Sequence, residues 1–170
     1  EQMRLQEIDS CKALLKSYPE RDLPQLYGRI QTLYYGFQID SALVYAHRGI
    51  EQSRLLNDKE AEFNAIQRLA SSYQMAGSYF EGLALLDSLD RDLLSEDILV
   101  RCYSTYNTIY SALETLTVDA KLKQKYRMQA DKYKRQILDL DPYNPYVICD
   151  TLLRCGKAQE AYDIMLPFVQ

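Results

Sequence analysis

The feature that most constrains this chain is a helical pattern that returns about every forty residues. Residues 40–45 and residues 80–85 begin the second helices of two consecutive helix pairs, and residues 159–162 begin another about twice that distance later. A single helix pair cannot bury its own apolar face, so units of this kind stack on their neighbours. The repeat therefore predicts an all-α fold built of stacked antiparallel helix pairs.

The spacing of apolar residues supports this interpretation. Apolar or small residues recur three or four positions apart in residues 58–77 and again in residues 119–140, which places them on one side of a helix. Asp58 is the predicted N-cap of the helix that Gly77 ends. With a first helix over residues 2–17, we predict about nine helices in all.

The predicted helix pairs follow one another with short links, which favours a single domain over residues 1–170. A leading helix in residues 1–18 precedes the pairs, which are predicted over residues 23–57, 58–94, 95–141 and 143–170. The second helix of the third pair, around Ala130, comes late, and we attribute the delay to an extra stretch at residues 115–122. Because both ends are abrupt, we expect a fragment of a longer protein.

Charge and hydropathy narrow the classes of partner. A formal net charge of −4 argues against a general binder of nucleic acid or of anionic membranes, since both usually need positive surface. The uncharged stretch in residues 102–113 is short and rich in polar side chains, so it does not resemble a spanning helix. We expect no nucleic acid bound by this region and no insertion into a membrane.

Residues that could carry chemistry are few. The four cysteines, Cys11, Cys102, Cys149 and Cys155, form no CxxC pair and are predicted to be free and mostly buried. The single histidine, His47, lies on a predicted helix without an adjacent nucleophile or orienting partner. We therefore predict no metal site, no cofactor and no catalytic activity.

The best repeat resembles the tetratricopeptide repeat. Its packing positions are matched by Ile66, Leu69, Ala70, Tyr73, Gly77, Tyr79, Gly82, Leu86 and Leu89, and the small residue of the second helix by Ala42, Ala130 and Ala161. The resemblance implies a right-handed superhelical stack of helix pairs, a TPR-like α-solenoid. It also implies a scaffold that binds proteins or peptides.

A narrower resemblance concerns residues 40–46, 53–58, 76–79 and 85–89, which are similar to a family of bacterial envelope regulators. In that family a tetratricopeptide sensor region precedes a membrane helix and a cytoplasmic DNA-binding part. The resemblance implies the sensor or interaction region of a bacterial regulatory protein, facing the periplasm or envelope. Two alternatives stay open: a cytoplasmic peptide-responsive transcriptional regulator built on similar repeats, and an enzyme without a recognisable motif.

The predicted ligand-binding residues are those of the first helices that fall off the packing stripes. In stacked helix pairs the first helices line the concave face. The positions are Tyr27, Gln31, Tyr34, Tyr35, Asn64, Gln67, Ser71, Gln74, Met75, Asn107 and Ser111. Their amides, hydroxyls and rings suit an extended peptide, which needs backbone partners and flat apolar surface. The alternatives are plain polar surface, or a groove filled by the missing remainder of the same protein.

Residues 121–135 form a basic run, with seven cations and the single acid Asp131. A run of this kind can form a patch for an acidic or phosphorylated partner. We interpret it instead as the solvated face of an amphipathic helix.

Overall fold

The computed structural model describes residues 2–168 and is helical throughout. This part of the chain contains nine α-helices, three short 3₁₀ turns and no strand. The helices are α1 (Gln2–Leu14), α2 (Leu23–Tyr34), α3 (Ile39–Leu55), α4 (Lys59–Ala76), α5 (Tyr79–Asp87), α6 (Glu96–Leu116), α7 (Ala120–Leu140), α8 (Pro145–Arg154) and α9 (Ala158–Met165). The predicted all-α, TPR-like fold is confirmed.

Local signals begin and end helix α4 where the sequence predicts. The Asp58 carboxylate accepts a hydrogen bond from the Ala61 backbone N–H at 3.0 Å, as an N-cap does. At the other end of α4, Gly77 adopts a φ of +80°, a left-handed conformation that glycine reaches without steric cost. The first helix is shorter than expected, since α1 ends at Leu14.

The prediction of an extra stretch at residues 115–122 is wrong. Helix α6 continues to Leu116 and α7 begins at Ala120, so only residues 117–119 connect them. Both helices are 21 residues long, and the Asp119 carboxylate caps α7 by accepting from the Leu122 N–H at 2.8 Å. The second helix of this pair comes late because the helices are long.

The chain divides into two compact units, Glu1–Thr105 and Tyr106–Gln170. In the first unit, helices α2, α3, α4 and α5 pack consecutively, each against the next. Leu69 and Ala70 of α4 are buried, as the tetratricopeptide register predicts. Because α2 also packs against α4, the first helices of two neighbouring pairs lie side by side.

The second unit is built around tyrosine rings. The rings of Tyr106 in α6 and Tyr133 in α7 stack with centroids 4.3 Å apart, and Tyr110 lies 5.9 Å from Tyr133. Tyr126 extends the cluster at 6.1 Å from Tyr110. Stacked aromatic rings contribute packing area that aliphatic side chains of similar length do not. Tyr106, Tyr110 and Tyr133 are therefore packing residues of this unit.

Ion pairs occupy part of the basic run in α7. Arg127 pairs with Glu114 at 3.1 Å, and Lys134 pairs with Asp150, which lies in α8. Lys125, by contrast, is exposed. Within residues 2–168, none of the helices is long and apolar enough to cross a membrane.

Candidate functional site

Tyr34 was predicted to face a ligand, and the structure corrects that prediction. Its side chain is only 5% exposed, and its ring stacks on those of Tyr45 and Phe37, each at a centroid distance of 5.8 Å. Helix α3 returns along α2 and covers the ring. Tyr34 is therefore a core residue, and Tyr27, whose ring lies 6.3 Å from that of Tyr45, is half-buried beside it.

Two of the predicted amides are also buried, because they join the first helices to one another. Gln31 is 3% exposed, and its Nε2 donates to Ser72 Oγ at 2.9 Å. Gln67 is 6% exposed, and its Nε2 donates to Thr105 Oγ1 at 3.2 Å and to Ser71 Oγ at 2.9 Å. A buried amide needs partners, and here the neighbouring first helix provides them. Gln31 and Gln67 thus connect α2 to α4 and α4 to α6.

Two arginines outside the predicted set extend these links. Arg68 Nη1 donates to Thr32 Oγ1 at 2.9 Å and to the Gly28 carbonyl at 3.5 Å. Arg101 Nη2 donates to Asn64 Oδ1 at 2.6 Å. The first helices of the first unit are therefore connected by side-chain hydrogen bonds at several levels.

A sequence signal for the missed residues exists. Polar or small residues recur at a spacing of four on each first helix, as Gly28 and Thr32, and again as Arg101 and Thr105. The spacing of four places each pair on one helix face. These positions form a second contact face between neighbouring pairs, separate from the apolar stripe of each helix.

Six predicted residues of the first unit keep exposed surface. One of them, Tyr27, lies against Tyr45, and we call the other five the accessible row: Tyr35, Asn64, Ser71, Gln74 and Met75. Met75 is 46% exposed, and the others are half-buried. Tyr35 Oη lies 3.5 Å from Gln74 Oε1, and burial raises the pKa of the Tyr35 hydroxyl. The row combines one flat ring, one thioether and uncharged hydrogen-bonding groups.

The remaining predicted residues, Asn107 and Ser111, belong to the second unit. Asn107 Nδ2 donates to the Ala130 carbonyl at 2.9 Å, so its amide joins α6 to α7. Ser111 is half-buried, and its carbonyl accepts from Thr115 Oγ1 at 3.0 Å. The amide of Asn107 is thus occupied by packing within its own unit.

The residues weighed for chemistry are the single histidine and the four cysteines. His47 is exposed on α3. Cys11, Cys102 and Cys149 are free and buried, whereas Cys155 is free and exposed. Burial raises the pKa of the Cys102 thiol to about 11. In the part of the chain that the structure describes, no three His, Cys, Asp or Glu side chains are grouped as metal ligands.

A comparison with family models gives one match over nearly the whole chain. The model is described as the SusR N-terminal TPR domain, and it matches residues 1–169. Among curated proteins, none matches the chain.

Proposed function

The chain belongs to the family of SusR N-terminal TPR domains, and on that premise we propose that it is the partner-recognising region of a bacterial regulatory protein. Membership confirms the resemblance to the sensor regions of tetratricopeptide regulators. A tetratricopeptide fold is a helical-repeat scaffold for protein interaction and is generally not an enzyme.

We infer that the partner is an extended peptide segment bound along the accessible row. The carrying observation is that Tyr35, Gln74 and Met75 keep exposed surface, whereas the polar groups of Gln31, Gln67 and Ser71 are engaged in hydrogen bonds of the first helices. An extended backbone needs donors and acceptors, which the Gln74 amide supplies, and its side chains need flat apolar surface, which the ring and the thioether supply.

Hydrogen bonds between the first helices hold the residues of the accessible row in place for binding. The hydrogen bonds of Gln31 to Ser72 and of Gln67 to Thr105 fix the spacing of α2, α4 and α6 before any partner arrives. A surface that is already ordered loses less conformational entropy on binding than a mobile one. This is how buried polar links that touch no ligand support recognition.

Selection of peptides from a displayed library of short sequences tests the proposal. The enriched peptides are then titrated against the wild type, Tyr35→Ala and Gln74→Ala, with Val44→Ala as the control because Val44 is exposed on α3, away from the row. Aromatic anchors often dominate peptide interfaces, so we expect Tyr35→Ala to weaken binding about tenfold. Gln74→Ala should weaken it less, and Val44→Ala should leave it unchanged.

Two results would contradict the proposal. Selected peptides could bind all four proteins equally well, in which case the row is not the contact surface. Alternatively, Val44→Ala could weaken binding as much as Tyr35→Ala, which would move the site to the second helices. Circular dichroism of each variant confirms that the helical fold is intact.

A further inference from the structure

A cleft of about 370 Å³ lies between α2, α3 and the first half of α4. Small-molecule sites in proteins occupy roughly 300–1,000 Å³, so the cleft is large enough for a small ligand. Glycines line two of its walls, Gly28 from α2 and Gly49 from α3. Its polar and charged lining residues are Gln25, Asp58, Glu60, Asn64 and Arg68.

Arg68 at one end of the cleft has no carboxylate partner among residues 2–168. Its hydrogen bonds go to neutral acceptors, Thr32 Oγ1 and the Gly28 carbonyl. Burial lowers the pKa of the Arg68 guanidinium, and the positive charge of Arg101 lowers it further. A partly buried cation without a counter-ion is costly to the fold, and a bound carboxylate would relieve that cost.

Gly28 makes room for this cation. A Cβ at position 28 would lie 3.2 Å from Arg68 Nε, a tighter contact than most Cβ atoms make, and 3.4 Å from its Cζ, so the guanidinium would have to shift by a few tenths of an ångström. Glycine inside a helix costs about 0.5–1 kcal/mol relative to alanine. At position 28 the absence of a side chain leaves space for the guanidinium against the wall of the cleft.

The opposite end of the cleft is negative. Asp58 and Glu60 lie at the start of α4, and Glu60 is eight residues before Arg68 on the same helix. Eight residues of α-helix rise about 12 Å. The Asp58 carboxylate already accepts from the Ala61 N–H, whereas the Glu60 carboxylate is exposed. The cleft therefore presents opposite charges at its two ends.

Between the charged ends, the amides of Gln25 and Asn64 line the cleft. The Gln25 amide offers hydrogen-bonding groups without adding charge, whereas the Asn64 amide already accepts from Arg101 and donates to the Glu60 carbonyl. A ligand that matches this lining carries a carboxylate at one end, an ammonium at the other and amide groups between them.

We propose that this cleft binds a short peptide with free termini, its carboxylate on Arg68 and its ammonium at the Glu60 end. Three extended residues span about 10 Å, which is comparable with the rise of about 12 Å along α4 from Glu60 to Arg68. Only Asn64 is shared with the accessible row. A negative result for the cleft therefore does not argue against peptide recognition along the accessible row. A negative result for the row likewise does not argue against the cleft.

Calorimetric titration with trialanine, its C-terminal amide and its N-acetyl derivative tests the proposal. For the wild type, loss of either terminal charge should weaken binding about tenfold or more, because each removes charge-assisted hydrogen bonds. Arg68→Gln should bind trialanine and the amide alike. Glu60→Gln should bind trialanine and the acetylated peptide alike. Arg54→Gln is the control, since Arg54 pairs with Glu62 outside the cleft and should leave all three affinities unchanged.

Gly28→Ala tests the same site without removing a charge. The added Cβ should displace the guanidinium and weaken trialanine binding, while circular dichroism shows the helices unchanged. The proposal is overturned if trialanine fails to bind the wild type saturably at millimolar concentrations. It is also overturned if Arg68→Gln still distinguishes the free carboxylate from the amide. In that case Arg68 only holds α2 to α4.

Discussion

Ser72→Ala should destabilise the first unit because it removes a buried acceptor. Ser72 is fully buried in α4, accepts from Gln31 Nε2 at 2.9 Å and donates to the Arg68 carbonyl at 3.0 Å. In the variant, the Gln31 amide loses this acceptor and has little access to water. A buried polar group left without a partner costs about 1–3 kcal/mol, and we expect a loss of that size in the free energy of unfolding.

The double variant Gln31→Met/Ser72→Ala separates the hydrogen bond from the packing. Methionine has a similar length to glutamine and brings no unsatisfied donor. Replacing both partners with apolar groups of similar shape can be nearly neutral, so the double variant should lie within about 1 kcal/mol of the wild type. The second substitution should therefore recover stability that the first one removed.

Urea denaturation followed by circular dichroism measures both effects. The slope of the free energy against urea concentration should stay constant, because the surface exposed on unfolding is unchanged. A neutral Ser72→Ala would refute the argument, since Gln31 would then not depend on Ser72. So would a double variant that is less stable than Ser72→Ala alone.

Three further results are expected. Glu62→Gln should lower the free energy of unfolding at pH 7 by about 1–2 kcal/mol, because hydrogen bonds from two basic neighbours lower the pKa of Glu62. Because the pKa of Glu62 is lower in the folded state than in the unfolded state, its contribution to stability is complete only above the ordinary value of 4.5. In urea melts the difference between the wild type and Glu62→Gln should therefore begin to shrink near that pH and disappear below the lowered folded-state pKa. Ala70→Leu should lower the free energy of unfolding by about 1–3 kcal/mol, because it overpacks a fully buried position. The control Lys125→Ala, at an exposed position, should be near neutral. Urea melts in which the two variants are equally stable would contradict the predicted repeat register. At pH 8, iodoacetamide should alkylate exposed Cys155 well before buried Cys102, whose pKa of about 11 keeps the thiol protonated. Mass spectrometry of peptides measures the order of alkylation, and modification of Cys102 before Cys155 would contradict the prediction.

Features of the fold that depend on local chemistry were predictable from the sequence. Asp58 and Gly77 act on their own helix, through a side-chain cap and a left-handed turn, so their roles follow from neighbouring residues. The burial of Leu69 and Ala70 follows from the periodicity of α4. These elements were predictable because each depends on residues a few positions away.

The candidate site was less predictable because it depends on contacts between different helix pairs. Periodicity shows one apolar stripe on each helix, but Gln31 and Gln67 lie on a second contact face that exists only when first helices pack side by side. Tyr34 was misplaced because α3 covers its ring. The fit of Arg68 against Gly28 joins residues forty positions apart, and no local pattern indicates it.

Amide hydrogen exchange with and without a library-selected peptide tests the central claim, that partners bind along the first helices. The account predicts that the bound peptide slows exchange in Leu23–Tyr34 and Lys59–Ala76, helices α2 and α4, in the segments nearest Tyr35 and Gln74. Exchange in Ile39–Leu55 and Tyr79–Asp87, the second helices, should stay unchanged. Protection confined to those second helices would contradict the account.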